Sequence, residues 1–169
     1  DSTALRKLLL ADLSLVITDF LQMRAAEGKA LQTVLDDQLA RIETLVAEAA
    51  VAAEARGDQV RANIRKALDR LTAENPPVEE DRLSQDLALI AVKSDVTEEL
   101  DRLTAHVAAG RELLATGGPV GRKLDFLTQE FNREANTLCS KSQDKELTRI
   151  GLELKLVIDQ MREQTQNVE

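Results

Sequence analysis

Leu5, Leu8, Leu9, Leu13, Val16, Phe20 and Met23 recur at spacings of three and four, which predicts a helix from about Thr3 to Ala26. Leu10, Leu15, Ile17 and Leu21 widen its apolar arc, so this helix is expected to be buried on several sides or to pack against another subunit. Gly28 marks an expected bend or break. Beyond it Leu31, Val34, Leu35, Leu39 (or Gln38), Ile42, Leu45 and Val46 continue a narrower stripe, and small alanines take over from Ala47 to Ala55. That alanine run has high helix propensity but little material for a wide core, so a segment over about 29–73 is expected as a projecting helical arm or hairpin. Gly57-Asp58 reads as a turn, followed by a shorter amphipathic helix on Val60, Ile64, Ala67, Leu68 and Leu71.

Asn75-Pro76-Pro77 is the strongest breaker, because proline lacks a helical donor and restricts the residue before it. Leu83, Leu87 and Ile90 support a helix after it. Ser94 or Asp95 can cap another that carries Val96, Leu100, Leu103, Val107 and Leu114 and stops at Gly117-Gly118-Pro119. From Gly118 to Lys141 the helical period gathers Leu124, Leu127, Phe131, Ala135 and Leu138 into one stripe. It sets Arg122, Asp125, Gln129, Asn132, Arg133, Asn136 and Ser140 opposite. A merely solvated face would favour Lys, Glu and Ala, so this amide-rich face is expected to make contacts. A capped start at Gln143-Asp144 opens a last helix on Leu147, Ile150, Leu154, Val157 and Met161. The chain reads as all-α: long helices in an extended bundle or helical hairpin array, with the contact-bearing helices over 94–169.

Length and composition narrow this picture. A single domain of 169 residues can bury roughly two thirds of the surface its unfolded chain exposes. With three Phe and no Trp or Tyr, its core must be aliphatic, which disfavours a β-sandwich or barrel. A net charge of −8 argues against wrapping nucleic acid by bulk electrostatics, so any RNA contact must be local. The near absence of aromatics also removes the stacking platforms on which single-strand binders usually splay bases, so sequence-specific base reading is not expected. Cys139 is the only cysteine, which excludes an internal disulfide and is compatible with a reducing compartment. Asp12, Ser14, Thr18 and Asp19 interrupt the longest apolar cluster, so no membrane span or signal peptide is expected, and the expected location is the cytoplasm. The chain begins at Asp1, which suggests residues upstream of it.

Candidate chemistry lies along two helices. Asp95, Glu99, Arg102 and His106 share a strip bordering one apolar stripe, and Arg102 can pair with Glu98 or Glu99 within the helix. His106 is the only histidine, so two imidazoles cannot act as acid and base within one subunit. It could be a structural hydrogen-bonder, a base for a ribose 2′-hydroxyl or a water, or a metal ligand. Glu130 and Glu134, four apart on the next helix, repel one another unless offset by Arg133, by Arg102 or Lys141 in the fold, or by a divalent cation. Glu130, Glu134, Asp95 and Glu99 would suit Mg²⁺ or Mn²⁺, able to orient a phosphodiester and activate water. Gly117 to Lys123 precedes a helix N-terminus that could hold a phosphate, but the spacing is not a Walker loop. Cys139 reads as packing.

The segment Val120-Gly121-Arg122-Lys123-Leu124-Asp125-Phe126-Leu127, with Gln129-Glu130-x-Asn132-Arg133-Glu134-x-Asn136-Thr137 and Ser140-Lys141, closely resembles the C-terminal signature of the YicC-like bacterial endoribonucleases. Met23-Arg24-x-x-Glu27-Gly28, Lys93-x-Asp95, Glu98-Glu99-Leu100-x-Arg102-Leu103-x-x-His106 and Met161 to Glu169 extend the likeness. The resemblance implies a two-part protein whose N-terminal companion domain is absent from this chain. It implies RNA cleavage with divalent metal involvement and assembly into ring-like homo-oligomers, hexamers in the full-length protein. Cys139 stands where related sequences commonly carry Gly, which counts against a thiol nucleophile. Ala105 stands where a Ser often precedes the histidine.

Together these readings favour the C-terminal part of a metal-assisted endoribonuclease. In that assignment His106, Glu130 and Glu134 are catalytic, with Asp95 and Glu99 as further metal ligands. Arg102, Arg122, Lys123, Gln129, Asn132, Arg133 and Asn136 would hold RNA. The alternative is a non-catalytic helical module for oligomerisation or adaptor binding.

Overall fold

The computed structural model describes residues 2–74 and 95–168, with backbone alone at 61, 63, 64 and 67–74. The described residues form four helices and no strand: α1 (Ser2–Glu74), α2 (Thr97–Thr116), α3 (Gly121–Lys141) and α4 (Lys145–Thr165). The all-α expectation holds.

One helix of 73 residues replaces the separate pieces expected before Glu74. It runs through Gly28 and through Gly57-Asp58 without a break. A helical glycine costs about 1 kcal/mol relative to alanine. The Leu-, Ala- and Arg-rich turns on either side outweigh that cost. The expected connection at Asn75-Pro76-Pro77 and the helix through Leu83, Leu87 and Ile90 lie outside the described residues.

The other elements end where local chemistry dictates. Gly117 and Gly118 take φ of +68° and +78°, a backbone region that favours glycine, and turn α2 into α3. Asp144 caps α4 by accepting a hydrogen bond from the Leu147 amide at 2.9 Å.

The middle of α1 packs between α2 and α4, α2 pairs with α3, and α3 pairs with α4. Gln32 of α1 lies beside the Leu114 carbonyl near the end of α2, and the Arg56 guanidinium reaches the Lys141 carbonyl at 3.1 Å and that of Ser142. The helices therefore alternate in direction as a four-helix bundle. Its core is Leu35, Leu39, Ile42, Leu45, Val46 and Ala49 of α1 against Leu103 and Val107, Leu124, Phe131 and Leu138, and Leu147, Ile150, Leu154, Ile158 and Met161. Within the segment 29–73, then, the central turns are core. The exposed length is the N-terminal third, where Leu5 to Met23 are about half to two-thirds exposed, so the wide apolar arc is not buried within the chain.

Candidate active site

The period of α2 buries Leu100, Leu103, Val107 and Gly110 and leaves His106 half-buried at the margin, facing α3. On α3 the core stripe includes Leu127, Phe131, Ala135 and Leu138, and Glu130 and Glu134 flank it on the edge toward α2. The seam brings His106, Glu130 and Glu134 together, with one ligand atom from each lying within 4.8 Å of the others. The Phe131 ring meets the imidazole edge-on, with centroids 5.6 Å apart at 78°, and so restricts its orientation. His106 Nε2 is buried and has no hydrogen-bond partner among the described residues.

Arg102 organises the acids around this cluster. Its Nε is 3.2 Å from Glu134, one terminal nitrogen is 2.9 Å from Glu98, and the other is 3.8 Å from Glu99. Glu99, only 1% exposed, takes a second cation through Lys141 Nζ at 2.9 Å, while its Oε2 is buried without a partner. The repulsion expected between Glu130 and Glu134 is thus offset across the seam, by Arg102. A divalent ion with bonds near 2.1 Å sets adjacent ligand atoms about 3 Å apart and opposite ones about 4.2 Å apart. One imidazole nitrogen and two carboxylates within 4.8 Å fit such an ion after small side-chain shifts. The residues present therefore suit a divalent cation.

Asp95 and Glu99 do not join that cluster. Asp95 sits exposed before α2, where its Oδ1 accepts from the Thr97 amide at 2.9 Å and the Thr97 hydroxyl at 2.7 Å. Those two hydrogen bonds hold its carboxyl below the ordinary aspartate range. Glu99 is occupied by Lys141. Arg102 faces carboxylates, and Arg122 and Lys123 are exposed in the first turn of α3.

The amide strip lies on the opposite edge of α3, toward α4. Gln129 donates to Asp125 at 2.9 Å, Asn132 to Asp159 at 3.1 Å and Asn136 to Asn132 at 3.1 Å. With Arg133 and Arg162 they line a groove of about 460 Å³. The amide-rich contact face expected from sequence borders this groove, and the acidic seam is a separate surface.

Phe126 is absent from the expected set, although the pattern carries a signal for it: an aromatic off the apolar stripe. It is 64% exposed, one turn before Glu130. Between it and α2 runs a groove of about 550 Å³ lined by Ala109, Glu112, Leu113, Lys123 and Leu127 among others. Cys139 is half-buried, and burial pushes its thiol pKa up, as expected of a packing residue. No helix among the described residues is long and apolar enough to cross a membrane.

Comparison with known proteins identifies the family. Residues 49–169 match the family described as endoribonuclease YicC-like, C-terminal. A probable endoribonuclease YicC from Haemophilus influenzae is 38% identical over the whole chain, and one from Clostridioides difficile is 32% identical over 88% of it. The chain spans 58% and 50% of those two relatives' lengths. The chain belongs to the YicC-like endoribonuclease family, as its C-terminal domain.

Proposed function

We propose that this chain is the helical C-terminal part of a divalent-metal-assisted endoribonuclease, with His106, Glu130 and Glu134 as its cation seat. The convergence of those three side chains across the α2–α3 seam carries the reading. When bound there, the ion would polarise the scissile phosphate and lower the pKa of water. The chain's own residues do the rest. Glu130 and Glu134 supply oxygen donors, His106 a nitrogen, and Arg102 holds Glu134 toward the seam. A mixed nitrogen and oxygen set favours Mn²⁺ over Mg²⁺. Arg122, Lys123 and Arg133 supply the local positive charge that RNA phosphates need in a chain of net charge −8. The amides of Gln129, Asn132 and Asn136 offer hydrogen bonds to the strand. The single cysteine and this substrate agree with a cytoplasmic protein.

Full-length protein with Mn²⁺ should cut RNA. Glu130→Gln and His106→Ala should each reduce cutting by about 100-fold or more while leaving helicity and assembly mass unchanged. Normal cutting by both variants would reject the assignment.

A second reading concerns assembly and is favoured by the exposed apolar length of α1. Leu5, Leu8, Leu9, Leu13, Val16, Phe20 and Met23 are all at least half exposed. Such a surface is expected to be covered by protein. We take it as the contact through which copies of the full-length protein assemble, with a hexameric ring as the form the family resemblance implies.

A further inference from the structure

We propose that the groove beside the cation seat is a nucleotide subsite, in which the Phe126 ring stacks on an unpaired base of the RNA and Lys123 meets its phosphate. This rests on RNA being the ligand, as proposed above. The three phenylalanines have different surroundings. Phe131 is fully buried, and Phe20 lies on the N-terminal length of α1 with the Arg24 guanidinium 5.9 Å from its ring centroid. Phe126 stands on the bundle itself, 64% exposed, and contributes little to the core.

Its position follows from helix geometry. At about 100° per residue, Lys123, Phe126, Glu130 and Glu134 fall within about 80° of one another on α3. Phe126 precedes Glu130 by four residues, and on the facing helix Ala109 follows His106 by three. Both groove walls are thus continuous with the cation seat, about 6 Å away along the helix axis. A strand whose phosphate would be held at a cation on His106, Glu130 and Glu134 would have its neighbouring nucleotide at this groove. The volume of about 550 Å³ falls in the usual range for a small-molecule site.

The chemistry selects a single strand. Bases in a duplex are already stacked on each other, whereas an unpaired base offers a free π-face to an aromatic ring. One phenylalanine reads no base edge, so the subsite is tolerant of sequence. It also gives a chain with net charge −8 a grip on RNA that does not depend on bulk positive charge.

The test uses full-length protein and a 12-nucleotide single-stranded RNA, first without metal. Phe126→Trp introduces a fluorophore into a segment that has none. Its emission, taken as the difference from the parent protein, should be quenched by the single strand and not by the same strand in a duplex. Phe126→Ala and Phe126→Leu should weaken single-strand binding about tenfold or more. With Mn²⁺ present, Phe126→Ala should raise KM by a similar factor with kcat within about threefold, whereas Glu130→Gln should lose kcat and keep binding. Quenching without any cutting would sink the nuclease reading and leave the subsite standing. Parental affinity in Phe126→Ala, or an unquenched Phe126→Trp, would overturn the subsite even if the protein cuts. So would a changed assembly mass in Phe126→Ala with RNA affinity intact, since another protein surface would then cover the ring.

Discussion

Glu99 and Glu134, 1% and 5% exposed, are carboxylates that this bundle holds away from water beside one half-exposed guanidinium. Burying an anion is tolerable only when a cation and hydrogen bonds replace its hydration. Glu99 keeps Lys141 if the arginine is removed, but Glu134 has Arg102 as its ion-pair partner among the described residues. Arg102→Ala should therefore lower stability by about 1–3 kcal/mol in urea unfolding, a range set below fully buried pairs because Arg102 is partly solvated. Arg102→Lys should recover only part of it, since one ammonium cannot span three carboxylates. Asp95 is held differently, by its Thr97 hydrogen bonds at the entry to α2. Asp95→Ala should cost about 1 kcal/mol with Asp95→Ser restoring most of it, and neither should alter Mn²⁺ affinity. Because its folded pKa is lowered, the contribution of Asp95 is present above the ordinary aspartate range and fades as pH falls through the lowered value. Unfolding curves at pH 7 and at a pH below the lowered value should show the Asp95→Ala penalty at the first and little of it at the second. That Arg102 pairs with Glu98 and Glu99 was legible from i, i+3 and i, i+4 spacing. Its bridge to Glu134 was not, because that contact depends on how α2 lies on α3.

At the scale of elements, the ends of α2, α3 and α4 were legible because they are set by chemistry that few alternatives fit, the Gly117-Gly118-Pro119 turn and the Asp144 cap, and their apolar stripes followed, except that α4 buries Ile158 fully where Val157 was expected. The breaks expected in α1 failed for a physical reason. A glycine weakens a helix without forbidding it, and Gly28 sits in open space at ordinary helical geometry. Gly110 has a different role, since α2 crosses α1 there. A Cβ added to it would stand 2.9 Å from one Leu39 methyl and 3.1 Å from the other, and Leu39 is fully buried. Gly110→Ala gains about 1 kcal/mol of helix propensity but overpacks the crossing by about 1–3 kcal/mol. The net expectation is destabilisation of about 1 kcal/mol in thermal or urea melts. Leu39→Val in the same chain should relieve it, so that the pair is less costly than the sum of its single changes.

For the whole molecule, the bundle gathers residues 35–49, 96–138 and 147–161 into one core and leaves Leu5 to Met23 outside it. The apolar end of α1 can therefore be altered without touching bundle packing. Leu9→Glu with Leu13→Glu in the full-length protein should lower the assembly mass measured by light scattering while the melting of the bundle changes by less than about 1 kcal/mol. An unchanged mass would place the assembly contact elsewhere.

The sequence by itself determined the all-helical character, the aliphatic core and most of the candidate side chains, because helical period and side-chain type are local properties. Only the tertiary structure decided which of the acids share a site. Asp95 and Glu99 lie on the same strip as His106, yet Thr97 and Lys141 claim them. Glu130 and Glu134 reach the imidazole because the α2–α3 hairpin sets those turns side by side. The same packing separated the amide groove from the acidic seam and opened the groove beside Phe126, which no period within a single helix specifies.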